Sequence, residues 1–251
     1  MQWFSEYMEL PRLAGGLRGN RDHLICSTLR PPHKPFHRHC IPPFFTQSIS
    51  HMNTIEAIQG RRAIKHYDAT HQMPQEVERQ LLELAMLSPT AFNIQNWRFV
   101  IVKDMEVRKQ IRAVAWDQAQ VTDSSLLVVL CANLSAWEQN PAQYWRNAPE
   151  PVQNFLVPAI AEYYSGKPQV QRDEAMRSCG MAGQTLMLAA KELGYDSCPM
   201  DGFDYDAVGK ILNLPSDHVI SFMIAIGKKT QDSWPRPGQL AYSDVVLENG
   251  F

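Results

Sequence analysis

Ser88-Pro89-Thr90-Ala91-Phe92-Asn93-Ile94-Gln95-Asn96-Trp97-Arg98-Phe99-Val100-Ile101-Val102 changes pattern twice within a short stretch. A Ser-Pro pair closes a helix, amides and a hydroxyl turn the chain, and the apolar, β-branched run over 98–102 reads as a buried strand. Upstream, Val77, Leu81, Leu82, Leu84, Ala85 and Leu87 recur at three- and four-residue steps behind Pro74-Gln75-Glu76. That spacing predicts a helix ending at Ser88-Pro89, with proline near the N-terminus where its missing N–H is harmless. Ile55, Ile58 and Ile64 lie near helical spacing, with Asn53 or Thr54 placed to cap a helix over 54–61. Downstream, Leu126-Leu127-Val128-Val129-Leu130-Cys131-Ala132 and the run 220–227 are further strands, and 175–193 is a helix with Cys179, Ala182, Leu186, Ala189 and Ala190 along one stripe. Strands separated by several helices predict a mixed sheet between helical layers.

The chain has 251 residues, a net charge of −2 and 20% charged residues. No basic field points to nucleic acid and no acidic excess to disorder, so small-molecule partners are expected. Cys26, Cys40, Cys131, Cys179 and Cys198 form no C-x-x-C pair. Their odd number and irregular spacing argue against a zinc site and a disulfide framework, and fit a reducing compartment. No run reaches the roughly 18 apolar residues of a membrane span, and MQWFSEYMELPRL lacks the basic-then-apolar order of a signal peptide. The expected location is the cytoplasm.

Residues 1–51 differ in kind from 52–251: they hold five of the eight histidines and six of the seventeen prolines. Arg12, Arg18, Arg21, Arg30, Arg38 and Lys34 against Glu6, Glu9 and Asp22 leave this segment at +3 and the remainder at −5. A basic targeting arm, a His-rich metal-binding tract, a translated upstream stretch before Met52 and plain disorder all fit it. It is expected to be a disordered or non-native extension, with the functional domain at 52–251.

Three segments carry chemistry. Gly60-Arg61-Arg62-Ala63-Ile64-Lys65-His66 sets three cations within five residues, able to hold a phosphate through charge-assisted bonds or simply to form a solvated face. The turn Thr90-Ala91-Phe92-Asn93-Ile94-Gln95 offers neutral donors and acceptors for a polar ligand, or is only a helix-to-strand connection with Trp97 as its anchor. In Leu193-Gly194-Tyr195-Asp196-Ser197-Cys198-Pro199-Met200-Asp201-Gly202-Phe203, Gly194 suits a helix C-cap and Gly202 would let backbone approach a flat ligand; alone, the segment is just an irregular turn.

In this order and at these separations the three segments resemble the FMN-dependent nitroreductase family, whose basic R-R-S-x-R-type segment, P-S-x-x-N-x-Q-P-W turn and late G-L-G-x-x-x-x-x-G-F turn they match across residues 52–251. The resemblance implies an α+β fold of α/β/α layers with a mixed, mostly antiparallel sheet, and a two-fold dimer whose extended C-terminal arms wrap the partner. It implies that Arg61, Arg62 and Lys65 hold the FMN phosphate and the pyrimidine edge, and that Arg236 completes the phosphate site. Thr90, Asn93 and Gln95 would approach from the neighbouring subunit. Trp116-Asp117-Gln118-Ala119-Gln120-Val121 resembles the family's mid-chain segment, making Asp117 and Gln120 candidates for the N3 and O2 edge. Pro199, Met200, Asp201 and Gly202 would border N5 and O4 mainly through backbone groups.

Ala63 stands where the family has serine, Asn96 where it has proline and Asp117 where asparagine is more common. The implied activity is NADH- or NADPH-dependent reduction of a small flat acceptor, a nitroaromatic or quinone, by ping-pong kinetics, with no protein acid, base, nucleophile or metal. Rival readings are a relative that fragments flavin, dehalogenates or oxidises an azoline, and a non-catalytic protein of the same fold. The stretch 140–170 is a candidate lid whose aromatics either gate the site or pack.

Overall fold

The computed structural model describes residues 52–251, so the readings made of 1–51 lie outside the described residues. Helix α1 (Thr54–Gly60) starts at a capping box, in which Asn53 Oδ1 accepts from the Glu56 N–H and Glu56 accepts from the Asn53 N–H. Helix α2 (Gln75–Ala85) follows, but stops three residues before the Ser-Pro pair, its last turn passing into a tight bend at Met86. Strand β1 (Trp97–Ile101) leads to α3 (Met105–Ala113), the short α4 (Gln120–Asp123) and β2 (Leu126–Asn133). Helices α5 (Glu150–Tyr164) and α6 (Pro168–Glu192) precede β3 (Asp196–Met200), α7 (Tyr205–Ile211), β4 (His218–Gly227) and a terminal α8 (Tyr242–Val245).

The four strands pair in the order β1-β2-β4-β3, every pairing antiparallel. The parallel component is a single bridge, Ala63 to Ser197, which lays the chain after α1 along the outer edge of β3. Burial explains the layering. Leu127, Val129 and Cys131 of β2 face a core shared with α3, α7 and β4, while Leu126, Val128 and Leu130 face α2 and α6 on the other side. Both faces are covered, so β2 is buried along its whole length and reads in sequence as an unbroken apolar run. Helix α6 lies so close to the sheet that a Cβ on Gly183 would run into the Phe222 ring.

Strand β3, read above as an irregular turn, belongs to the sheet because its residues Asp-Ser-Cys-Pro-Met pair with β4, from Asp196 opposite Gly227 to Met200 opposite Met223. Proline is tolerated there because β3 is an edge strand. Among the described residues no helix is long and apolar enough to cross a membrane, and no group of His, Cys, Asp and Glu is arranged to hold a metal.

Candidate functional site

The basic segment begins where α1 ends, with Arg61 as its C-cap. The Ile64 N–H donates to the Ser197 carbonyl at 3.1 Å, fixing the segment to β3. The C-terminal stretch 231–239 closes over it: Arg62 Nη2 donates to the Trp234 carbonyl at 2.5 Å, and Arg236 Nη2 donates to the Gln59 carbonyl at 3.1 Å. Together they line a cavity of about 610 Å³ that takes in Arg61, Arg62, Ala63, Lys65 and Arg236.

Among the described residues, Arg61 Nη1 is buried in this cavity without a hydrogen-bond partner, a costly state for a charged donor. Lys65 is exposed, and the carboxylate on the cavity wall, Asp232, is already bound to Lys229 at 2.5 Å. Cys198 senses the same field: burial pushes its thiol up, while Lys65 and Arg61 pull it down. A phosphate presents the oxygens that this donor set is missing.

At the end of β3, the segment Pro199–Gly202 meets the chain around Trp116. Met200 packs into the core, so only its backbone is available to a ligand, whereas Pro199 and Asp201 are exposed. Gln118 Nε2 donates to the Gly202 carbonyl at 2.9 Å, and the buried Gln120 donates through Nε2 to Gln118 Oε1 at 3.0 Å. Gln120 therefore reaches the turn through Gln118, a residue the sequence reading passed over because an amide in a turn has no periodicity to mark it. Asp117 projects outward and accepts from Arg112 Nε at 2.6 Å, so its charge is already paired.

Thr90, Asn93 and Gln95 sit elsewhere. Their turn precedes β1, the edge strand opposite β3, three strand spacings or about 14 Å away across the sheet. One chain therefore brings together 61–65, 116–120, 199–202 and Arg236, but not the amide turn. That turn is strained: Phe92, Asn93 and Gln95 have φ of 53°, 55° and 45°, left-handed values that cost a non-glycine residue about 1 kcal/mol or more each.

The stretch 137–164 holds it in place. Trp145 Nε1 donates to the Phe92 carbonyl and Asn93 Nδ2 to the Tyr144 carbonyl, both at 3.0 Å. The Phe92 ring lies 5.3 Å from Tyr163 and 6.2 Å from Tyr164, and Trp137 stacks on Tyr164. Of the two readings of these aromatics, packing describes Trp137, Tyr144, Trp145 and Tyr164, which surround Ile94 and Ile160.

The Nitroreductase family model matches residues 58–228. Protein DrgA of Synechocystis sp. is 55% identical over 182 residues, covering 72% of this chain and 87% of that protein. "Putative NAD(P)H nitroreductase MhqN" of Bacillus subtilis is 32% identical over 186 residues, covering 71% of this chain and 90% of that one. Among solved structures, a "putative nitroreductase in complex with FMN" from Exiguobacterium sibiricum superposes with a TM-score of 0.73 at 27% identity, over 78% of this chain and 97% of that one.

Proposed function

Because the chain belongs to the nitroreductase family, we propose that it is an FMN-dependent oxidoreductase that takes reducing equivalents from NADH or NADPH and passes them to a small flat acceptor such as a nitroaromatic or a quinone. The carrying observation is the cationic cavity with its Arg61 Nη1, unpartnered among the described residues, on a segment bridged to β3, the strand that leads into a glycine-containing turn. Arg61, Arg62 and Arg236 would hold the FMN phosphate. Lys65, which forms no ion pair among the described residues, would offset negative charge arising at the pyrimidine edge, a preorganised electrostatic effect. Ala63 contributes no hydroxyl, a loss of about 0.5–1.5 kcal/mol that the surrounding cations can absorb. Gln118, itself held by Gln120, orients the backbone at Gly202, where a side chain would run into the Trp116 indole. FMN, when bound, supplies hydride acceptance and release.

A homodimer is part of the proposal. The turn bearing Thr90, Asn93 and Gln95 lies at the opposite edge of the sheet from the cationic cavity, which supports its meeting that cavity from a second chain. The exposed apolar residues Ile55, Ile58 and Leu87, with Leu240, Tyr242 and Val245 of the tail, offer surface for that partner. The unpaired Cys131, Cys179 and Cys198 suit the reducing cytoplasm.

Donor and acceptor would use one site in turn, so reciprocal plots at several acceptor concentrations should be parallel. Intersecting plots, or protein that takes up no FMN on titration, would overturn the reading. Sedimentation at micromolar concentration should give the mass of two chains.

A further inference from the structure

Trp116 is an unusual tryptophan: its residue is 79% exposed, and both it and Asp117 adopt left-handed backbone, with φ of 54° and 53°. Tryptophan is ordinarily mostly buried, and left-handed backbone is unfavourable for it, though better tolerated by aspartate. The conformation is nevertheless held firmly. Asp117 donates its N–H to the Arg112 carbonyl and accepts from Arg112 Nε, while Gln118 Nε2 binds the Ala115 and Gly202 carbonyls.

The result is an indole laid against Gly202, where an added Cβ would stand 2.6 Å from Cζ3 and 2.9 Å from Cε3. Gly202 leaves room for the Trp116 indole, and the left-handed backbone at 116 and 117 sets an exposed aromatic face beside the turn that ends β3.

We infer that Trp116 is a specificity-determining residue, whose solvent-facing indole stacks on the flat acceptor entering beside Gly202. This rests on the flavin reading of the site. Stacking depends on a π-face of matched size, so two fused rings gain more from the indole than one. The neighbouring Asp117 adds little selection by charge, because Arg112 already pairs with it.

The test uses FMN-loaded protein and benzoate, a flat acid that is not reduced, titrated by the change in flavin absorbance. Trp116→Ala should weaken benzoate roughly 2- to 12-fold, the range of one aromatic pair, and Trp116→Phe should recover most of the loss. The KM for naphthoquinone should rise more than that for benzoquinone in Trp116→Ala. Gly202→Ala, which must displace the indole, should weaken benzoate in the parent but add little in the Trp116→Ala background.

Equal benzoate affinity in parent and Trp116→Ala would overturn the inference while leaving FMN binding intact. So would a Trp116→Ala chain that sediments as a single chain yet keeps its benzoate affinity, since Trp116 would then be a subunit contact. A parent chain that takes up no FMN would overturn the cofactor reading itself, and this inference with it.

Discussion

The two edges of the sheet present ligand-facing backbone by opposite means. At the β3 edge the segment 61–65 has no left-handed residue and is bound by main-chain contacts, the Ala63–Ser197 bridge and the Ile64-to-Ser197 hydrogen bond, and the buried unpartnered groups there include the Arg61 cation and the Ser197 hydroxyl. At the β1 edge three left-handed residues in four are pinned by an aromatic cluster and two hydrogen bonds. One edge keeps unpaired charge in reserve and the other keeps backbone strain. Losing a side chain at the first should therefore cost affinity, whereas losing one at the second should cost order.

The largest separation is expected for Arg61→Ala. Charged hydrogen bonds contribute about 1.5–3 kcal/mol, so FMN should bind roughly 10- to 150-fold more weakly by absorbance titration. The melting temperature of FMN-free protein should hold or rise, because a buried unpartnered donor is removed. A matching loss of apo-protein stability would show that Arg61 is structural and erase the contrast.

Trp145→Phe should behave differently. It deletes the bond to the Phe92 carbonyl while keeping a ring in place, at about 0.5–1.5 kcal/mol. The apo melting temperature should fall by about 1–6 °C, with FMN affinity falling in parallel by no more than roughly 12-fold. Weaker FMN binding at unchanged melting temperature would mean that Trp145 acts on the ligand directly and not through the turn.

The smallest effect is a matter of pH at Cys198. Its thiol is raised by burial and pulled back by Lys65 and Arg61. Lys65→Met removes one of those pulls, so the thiolate forms at still higher pH, and alkylation of Cys198 at a fixed alkaline pH should slow, read by mass spectrometry of the labelled peptide. Trp145→Phe, at the far edge, should leave that rate unchanged.

The sequence disclosed these two edges unequally. Arg61, Arg62, Lys65 and Gly202 were legible because cations crowded into five residues and a glycine in a turn are local signals. Helix α2 and strands β2 and β4 announced themselves through periodicity and unbroken apolar runs. Strand β3 did not, since Asp-Ser-Cys-Pro-Met has little intrinsic strand preference and is drawn into the sheet by β4. Helix α5 was also hidden: prolines at 149, 151 and 158 argue against a helix, yet the first two fall at its start, where proline is accepted. Gln118 and Trp116 owe their places to left-handed backbone at 116 and 117, which no residue there is built to advertise.

Pro199 has a further consequence. Ser197 turns its carbonyl outward to Ile64, and alternation along the strand puts Pro199 on that same outer side, where it has no N–H to offer. The bridge at Ala63 covers the residues just before it. The sheet therefore cannot recruit a fifth strand on this side, and a chain emptied of its ligand would still be a poor template for fibrillar self-association through β3.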